Sequence, residues 1–185
     1  MDKSEKTATR KYKPKLIIIT GMPGSGKSTL SRLISQEIRC PLISRDEIKE
    51  GYVNTIKTEH NKISNEENVK IYNTFFNTIE QLLDNKITIV IEAAFQHKLW
   101  FQKYDILKNK SDIRVIICKT DPKLSYNRYL ERRNSDPLRE FFHGDALTPL
   151  NNEYNYINIP EPTLEVDTSN EYNPNIMEIK SFLES

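Results

Sequence analysis

Short apolar runs alternate with helical periodicities along nearly the whole chain. Leu16-Ile17-Ile18-Ile19 is unbroken and β-branched, and reads as a buried strand. Leu30, Leu33, Ile34 and Ile38 are then spaced for one face of a helix. Pro41-Leu42-Ile43-Ser44 is a short second strand, followed by a polar stretch over 51–65. Ser64 and Glu67 have the spacing of a capping box. Behind it Val69, Tyr72, Phe76, Ile79 and Leu83 mark the clearest helix in the chain. A third strand is expected over 86–92, a helix with Trp100, Tyr104 and Leu107 over 97–109, and a fourth strand over 113–118. Asp121-Pro122 is a cap with proline at the first helical position, opening a helix that runs to about Arg133. After a region spaced by proline and asparagine, Thr163–Asp167 reads as the last strand. A final helix with Ile176, Ile179 and Leu183 is expected from Asn173-Pro174 onward. Strands alternating with helices imply an α/β domain over 15–185, its parallel sheet covered on both faces.

The first strand runs into Gly21-Met22-Pro23-Gly24-Ser25-Gly26-Lys27-Ser28, which fits the phosphate-binding pattern G-x-x-x-x-G-K-[ST]. Three of the chain's five glycines fall in this window. Glycine lets the main chain turn tightly enough for successive N–H groups to face phosphate oxygens, and the helix opening near Thr29 adds its positive end. Lys27 supplies a mobile charge for the β- and γ-phosphates, and the Ser28 hydroxyl is the expected Mg²⁺ ligand.

In such sheets ligands lie beyond the carboxyl ends of the strands. Ser44-Arg45-Asp46-Glu47 leaves the second strand there. Asp46 is the candidate base that orients an acceptor hydroxyl, and it can cap the next helix as well. Arg45 is either a holder of an anionic acceptor or a plain surface arginine. Glu92, ending the third strand, either acts on the Mg²⁺ shell or the acceptor, or is a solvated strand end. Arg128 and Arg132 share a helix face, with Arg133 and Arg139 nearby. They read as a lid over about 128–145 that neutralises charge on a transferred phosphoryl group, or as cations at a helix C-terminus.

Composition narrows the picture. A chain of 185 residues with net charge +1 can bury a core and carries no whole-molecule field for nucleic acid or membrane. Cys40 and Cys118 read as buried free thiols in a reducing cytoplasm. His60, His97 and His143 are too scattered to suggest a metal site. No apolar run approaches a bilayer span, and no secretory signal opens the chain. Residues 1–14, with Lys3, Lys6, Arg10, Lys11 and Lys13, read as a disordered basic tail, with a polyanion-gripping arm as the alternative. Asn109-Lys110-Ser111-Asp112 matches a guanine-reading motif, yet it precedes its strand and so falls on the wrong rim for nucleotide.

The P-loop through Thr29-Leu30, the Arg45-Asp46 pair, Glu92-Ala93-Ala94-Phe95, the arginine-bearing segment 127–133 and Leu164-Glu165-Val166-Asp167-Thr168 together resemble the small P-loop kinases. That group includes polynucleotide 5′-hydroxyl kinases, zeta-toxin-type kinases and related AAA-domain proteins. The departure is Glu92, where Asp is commoner, and 147–162 fits no pattern of the group. The resemblance implies a five-stranded parallel sheet in the order 2-3-1-4-5, ATP with Mg²⁺, and transfer of the γ-phosphoryl group to a hydroxyl. Adenine would lie near the loop after Asp167. The acceptor is left open among small molecules, nucleotides and nucleic-acid 5′ ends. A regulatory nucleotide-binding module without transfer activity and a toxin kinase are the alternatives.

Overall fold

The computed structural model describes residues 12–95, 98–144, 154 and 156–185. Most of the basic tail, His97, Asp145 and the stretch 147–153 lie outside the described residues.

β1 (Lys15–Gly21), β2 (Leu42–Ser44), β3 (Ile89–Glu92), β4 (Asp112–Lys119) and β5 (Thr163–Asp167) form one parallel sheet in the order β2-β3-β1-β4-β5. This is the order the resemblance implied. Alternation along the strands splits the core in two. Leu16, Ile18, Ile89, Ile91, Val115 and Ile117 face α3 (Asn65–Asp84) and α4 (Lys98–Lys110) through Phe75, Ile79, Trp100 and Leu107. Ile17, Ile19, Val90 and Ile116 face α1 (Lys27–Glu37) and α7 (Ile176–Glu184) through Leu30, Ile34, Ile179 and Leu183. With both faces covered, the strands can be apolar throughout.

Several local expectations need correction. The stretch 51–65 is not a polar connection from its start, because α2 (Arg45–Ile56) runs through Gly51. Val53 is fully buried against Ile63 and Ile71, and this packing extends the helix where its own sequence would not. The buried stripe of α3 is Ile71, Phe75, Phe76, Ile79 and Leu83. Val69 is 50% exposed, since it lies about 200° around the helix from Ile71. β3 starts at Ile89 rather than at residue 86, because Lys86 takes a left-handed φ of 64° as the chain leaves α3. α7 starts two residues after Pro174, where the Asn175 side chain caps Met177 and Glu178. Cys118 is buried, and burial pushes its thiol up to about 12, whereas Cys40 is only half-buried.

The cap and capping box read from the sequence are present. Ser64 and Glu67 bond reciprocally, and Asp121 accepts from the N–H groups of Lys123 and Leu124 in α5 (Pro122–Ser135). A short helix, α6 (Arg139–His143), then lays Phe141 and Phe142 on the Val53–Ile63–Ile71 cluster. The guanine-like motif ends at Asp112, which pairs in register with Lys15 at the start of β1, on the rim away from the P-loop.

Candidate active site

Gly24 and Gly26 hold φ of 82° and 80°, a conformation that side-chain-bearing residues resist, and these two turns shape the loop. Packing fixes its position. A Cβ on Gly24 would sit 2.0 Å from the Ser125 carbonyl oxygen, so α5 abuts the loop there. The Ser125 hydroxyl donates to the Pro23 carbonyl at 2.7 Å. On the other side the Thr168 hydroxyl donates to the Ser25 carbonyl at 2.6 Å and lies 3.0 Å from that of Lys119. Ser125 and Thr168 were not singled out as site residues by the sequence, because both act on the loop from distant positions. The Ser25 N–H donates to Met22 within the loop, and its hydroxyl is buried beside Gly21 without a partner. The side chains of Met22 and Ser25 are therefore loop interior, and any contact they make to phosphate is by main chain.

Lys27 and Ser28 open α1, and both turn to Glu92 across the sheet. Glu92 is paired in register with Ile19 of β1 and Ser44 of β2, so it stands where β2 and β3 both end. Oε1 lies 3.9 Å from Lys27 Nζ and accepts from the Ser28 hydroxyl at 3.3 Å, while Oε2 accepts from the Ser44 hydroxyl at 3.0 Å. At 4% exposure Glu92 is no solvated strand end. Burial drives its carboxyl above the ordinary glutamate value; Lys27 opposes the rise and the Asp46 charge adds to it. One hydroxyl and one carboxylate beside a phosphate cradle fit a hard, oxygen-seeking cation that takes its other ligands from phosphate and water. Ser28 and Glu92 are the residues that would hold Mg²⁺, and among the described residues no cluster of three or more His, Cys, Asp or Glu offers an all-protein metal cage.

Asp46 sits in the first turn of α2, capped by Ser44, whose hydroxyl accepts from the Glu47 N–H. Its side chain is 30% exposed, open enough to meet a substrate. Burial pushes its carboxyl up, but the charges of Arg45, His143 and Lys27 outweigh this and hold it below the ordinary aspartate value. Arg45 donates to Asp46 at 2.6 Å, and its guanidinium stands 5.0 Å over the Tyr72 ring. His143, at the end of α6, reaches back over α2, with Nε2 3.9 Å from Asp46 and Nδ1 2.6 Å from Glu50. Its ring stacks on His60 with centroids 6.4 Å apart. No pattern in the sequence signals that these two histidines meet. Tyr154 donates to the Ala94 carbonyl at 2.8 Å, and burial pushes its phenol up to about 12.

The α5 arginines divide. Arg128 donates to the Thr168 and Ser169 carbonyls at 2.9 and 2.6 Å, pinning the loop after β5. Arg133 is paired with Glu140. Arg128 and Arg132 line a cavity of about 350 Å³ together with Gly24, Gly26, Thr29 and Asn170. This cavity lies at the loop after Asp167.

The fold and this loop define a P-loop protein with the architecture of the small kinases. More particularly, the chain belongs to the AAA domain family AAA_33, whose model matches residues 16–148. It is 27% identical over 123 residues to a UPF0200 protein of Sulfurisphaera tokodaii, covering 66% of this chain and 68% of the relative. A candidate kinase of Chloroflexus aurantiacus shares the fold with a TM-score of 0.78 at 21% identity, covering 94% of this chain and 96% of that one. The APS kinase CysC of Mycobacterium tuberculosis, solved with AMPPNP and APS, has a TM-score of 0.59 at 16% identity, covering 94% and 99%.

Proposed function

We propose that this protein is an ATP-dependent kinase that transfers the γ-phosphoryl group to a hydroxyl of an acceptor. The observation that carries the reading is the placing of Asp46. It is a carboxylate in the first turn of the helix after β2, held ionised, accessible, and near enough to Lys27 to feel its charge. The nucleotide tail would lie in the loop 21–29, with its base in the cavity between Arg128 and the segment 168–172. Mg²⁺, held by Ser28 and Glu92, would offset charge on the β- and γ-phosphates.

The acceptor hydroxyl, oriented by Asp46, attacks the γ-phosphorus. The new O–P bond forms as the bond to the β-phosphate oxygen breaks, ADP leaves, and the hydroxyl proton passes to Asp46 and then to water. Asp46 is a weak base, which suits a loose transition state in which the nucleophile needs placing more than early deprotonation. Lys27 moves from Glu92 to the phosphates, and Arg132 meets the charge on the transferred group. Arg128 orders the base loop.

The test is a pair of measurements on Asp46→Ala and Lys27→Ala. Asp46→Ala is expected to bind Mg-ATP as the parent does while transfer falls about 10²–10⁴-fold. Lys27→Ala is expected to lose binding and transfer together. Full transfer by Asp46→Ala would remove Asp46 from the mechanism. ATP binding with no acceptor-stimulated turnover across a library of hydroxyl compounds would make the chain a nucleotide-binding module instead.

A further inference from the structure

Phosphoryl transfer leaves a proton on Asp46, a weak base that must be emptied before the next turnover, and an imidazole stands at its side. His143 Nδ1 lies 2.6 Å from Glu50 Oε1, and Nε2 lies 3.9 Å from Asp46 Oδ2. A carboxylate accepts hydrogen bonds, so Nδ1 carries the proton of the neutral ring and Nε2 keeps its lone pair on the Asp46 side. A carboxylate on one ring nitrogen and the reacting group toward the other is the arrangement that makes histidine an effective proton acceptor.

Packing fixes the ring in this place. Phe141 and Phe142 of α6 lie on the cluster of Val53, Ile63 and Ile71. Gly144 follows with a φ of 63°, and a Cβ there would stand 2.1 Å from His60 Nδ1, so the chain leaving α6 is pressed onto the turn His60–Lys62. The groups facing His143 are Asp46 and Glu50 from α2 and the stacked His60 ring from that turn. Burial, then the Lys49 charge, hold the His60 imidazole below the ordinary histidine value; the contact with Asn61 opposes this, and the charges of His143 and Arg45 add to it. An imidazolium formed on His143 would therefore stand between two carboxylates with a neutral ring at its face.

We infer that His143 is the proton acceptor behind Asp46, with Glu50 as its orienting partner. The hydroxyl O–H bond breaks as its proton goes to an Asp46 oxygen. The Asp46 O–H bond then breaks as the Nε2 lone pair takes that proton, which restores the carboxylate and leaves an imidazolium. The imidazolium releases the proton to water after the products leave. The second transfer runs downhill, because an imidazole is more basic than a carboxylate held below its ordinary value. Rotation of the Asp46 carboxyl closes the 3.9 Å gap, and such contacts are commonly long before substrate arrives. His143 acts through Asp46, so it is a positioning residue for the proton and does not touch the acceptor. The inference rests on the kinase reading and adds the path by which its proton leaves.

The experiment joins a spectroscopic and a kinetic measurement on the full chain. NMR of the ring nitrogens is expected to show neutral His143 protonated on Nδ1. Mg-ATP turnover is then followed with water, and with each compound of a library of hydroxyl compounds, as the acceptor. His143→Gln is expected to lower kcat at least about tenfold while the KM for Mg-ATP holds. Added imidazole is expected to restore part of the rate of His143→Ala, which a packing defect would not allow. His60→Phe, which keeps a ring in the stack, is expected to turn over as the parent does. Full turnover by His143→Gln, a neutral ring protonated on Nε2, a loss that imidazole leaves untouched, or an equal loss in His60→Phe overturns the inference and leaves the kinase reading standing. A parent without turnover on any acceptor overturns both.

Discussion

Glu92 gathers Lys27, Ser28 and Ser44 on one buried carboxylate, and its titration gives a sign that can be checked. Its folded-state value is raised above the ordinary one, with burial as the largest cause. Its contribution to stability is therefore complete below about pH 4.3, the ordinary glutamate value, and is lost as pH rises through the folded value. Glu92→Gln removes that loss. The melting temperature of the nucleotide-free variant, relative to the parent, should be more favourable near pH 7 than near pH 4, while transfer activity falls. An offset that is the same at both pH values would mean that Glu92 is not raised in the folded protein. Asp46 runs the other way. Its contribution is present above the ordinary aspartate value and is lost only as pH falls through its depressed one, so it stays ionised across the neutral range.

The P-loop is braced by elements far from it in sequence. α5 supplies Ser125, the segment after β5 supplies Thr168, and Gly24 is where α5 touches the loop. Gly24→Ala adds a carbon onto the Ser125 carbonyl at a φ of 82°, so the loop and α5 must separate. A cost of about 2 kcal/mol or more is expected, and nucleotide affinity should fall even though no phosphate contact is a side chain of residue 24. Chemical denaturation together with nucleotide titration measures both, and a variant unchanged in each would show that the loop is not held by this contact. The glycine pattern was legible in the sequence because main-chain conformation is a local property. The brace was not, since Ser125 and Thr168 look like any other small polar residues until the sheet order places them. The same holds for α2, whose C-terminal half is helical because Val53 finds Ile63 and Ile71.

At the scale of the molecule, the strand order leaves two separate faces on either side of the P-loop, which the proposed reading gives to the nucleotide base and to the acceptor. The cavity beside Arg128 lies toward β5, and Asp46, Lys49, His60 and His143 lie toward β2. If the loop binds nucleotide without refolding, ligand at about 100 times Kd should stabilise the whole chain by about 2.7 kcal/mol. For a protein of this length that is about 5–10 °C in melting temperature. Differential scanning fluorimetry with Mg-ATP checks this, and no shift at millimolar nucleotide would count against the entire reading. α6 carries His143 onto α2, which ties the segment after the α5 arginines to the helix that bears Asp46. Among the described residues, no helix is long and apolar enough to cross a membrane.

The amino-acid sequence by itself determined the alternation of strands and helices, the capped starts of α3 and α5, and the phosphate cradle with Lys27 and Ser28. Each of these is written within a few consecutive residues, where backbone preference and side-chain period act directly. Only the tertiary structure decided that Glu92 joins Lys27, Ser28 and Ser44, that Arg128 holds the loop after β5, and that His143 returns to Asp46. Those outcomes depend on which atoms from distant positions share one small volume, and on how much water that volume admits, and no stretch of neighbouring residues carries that information.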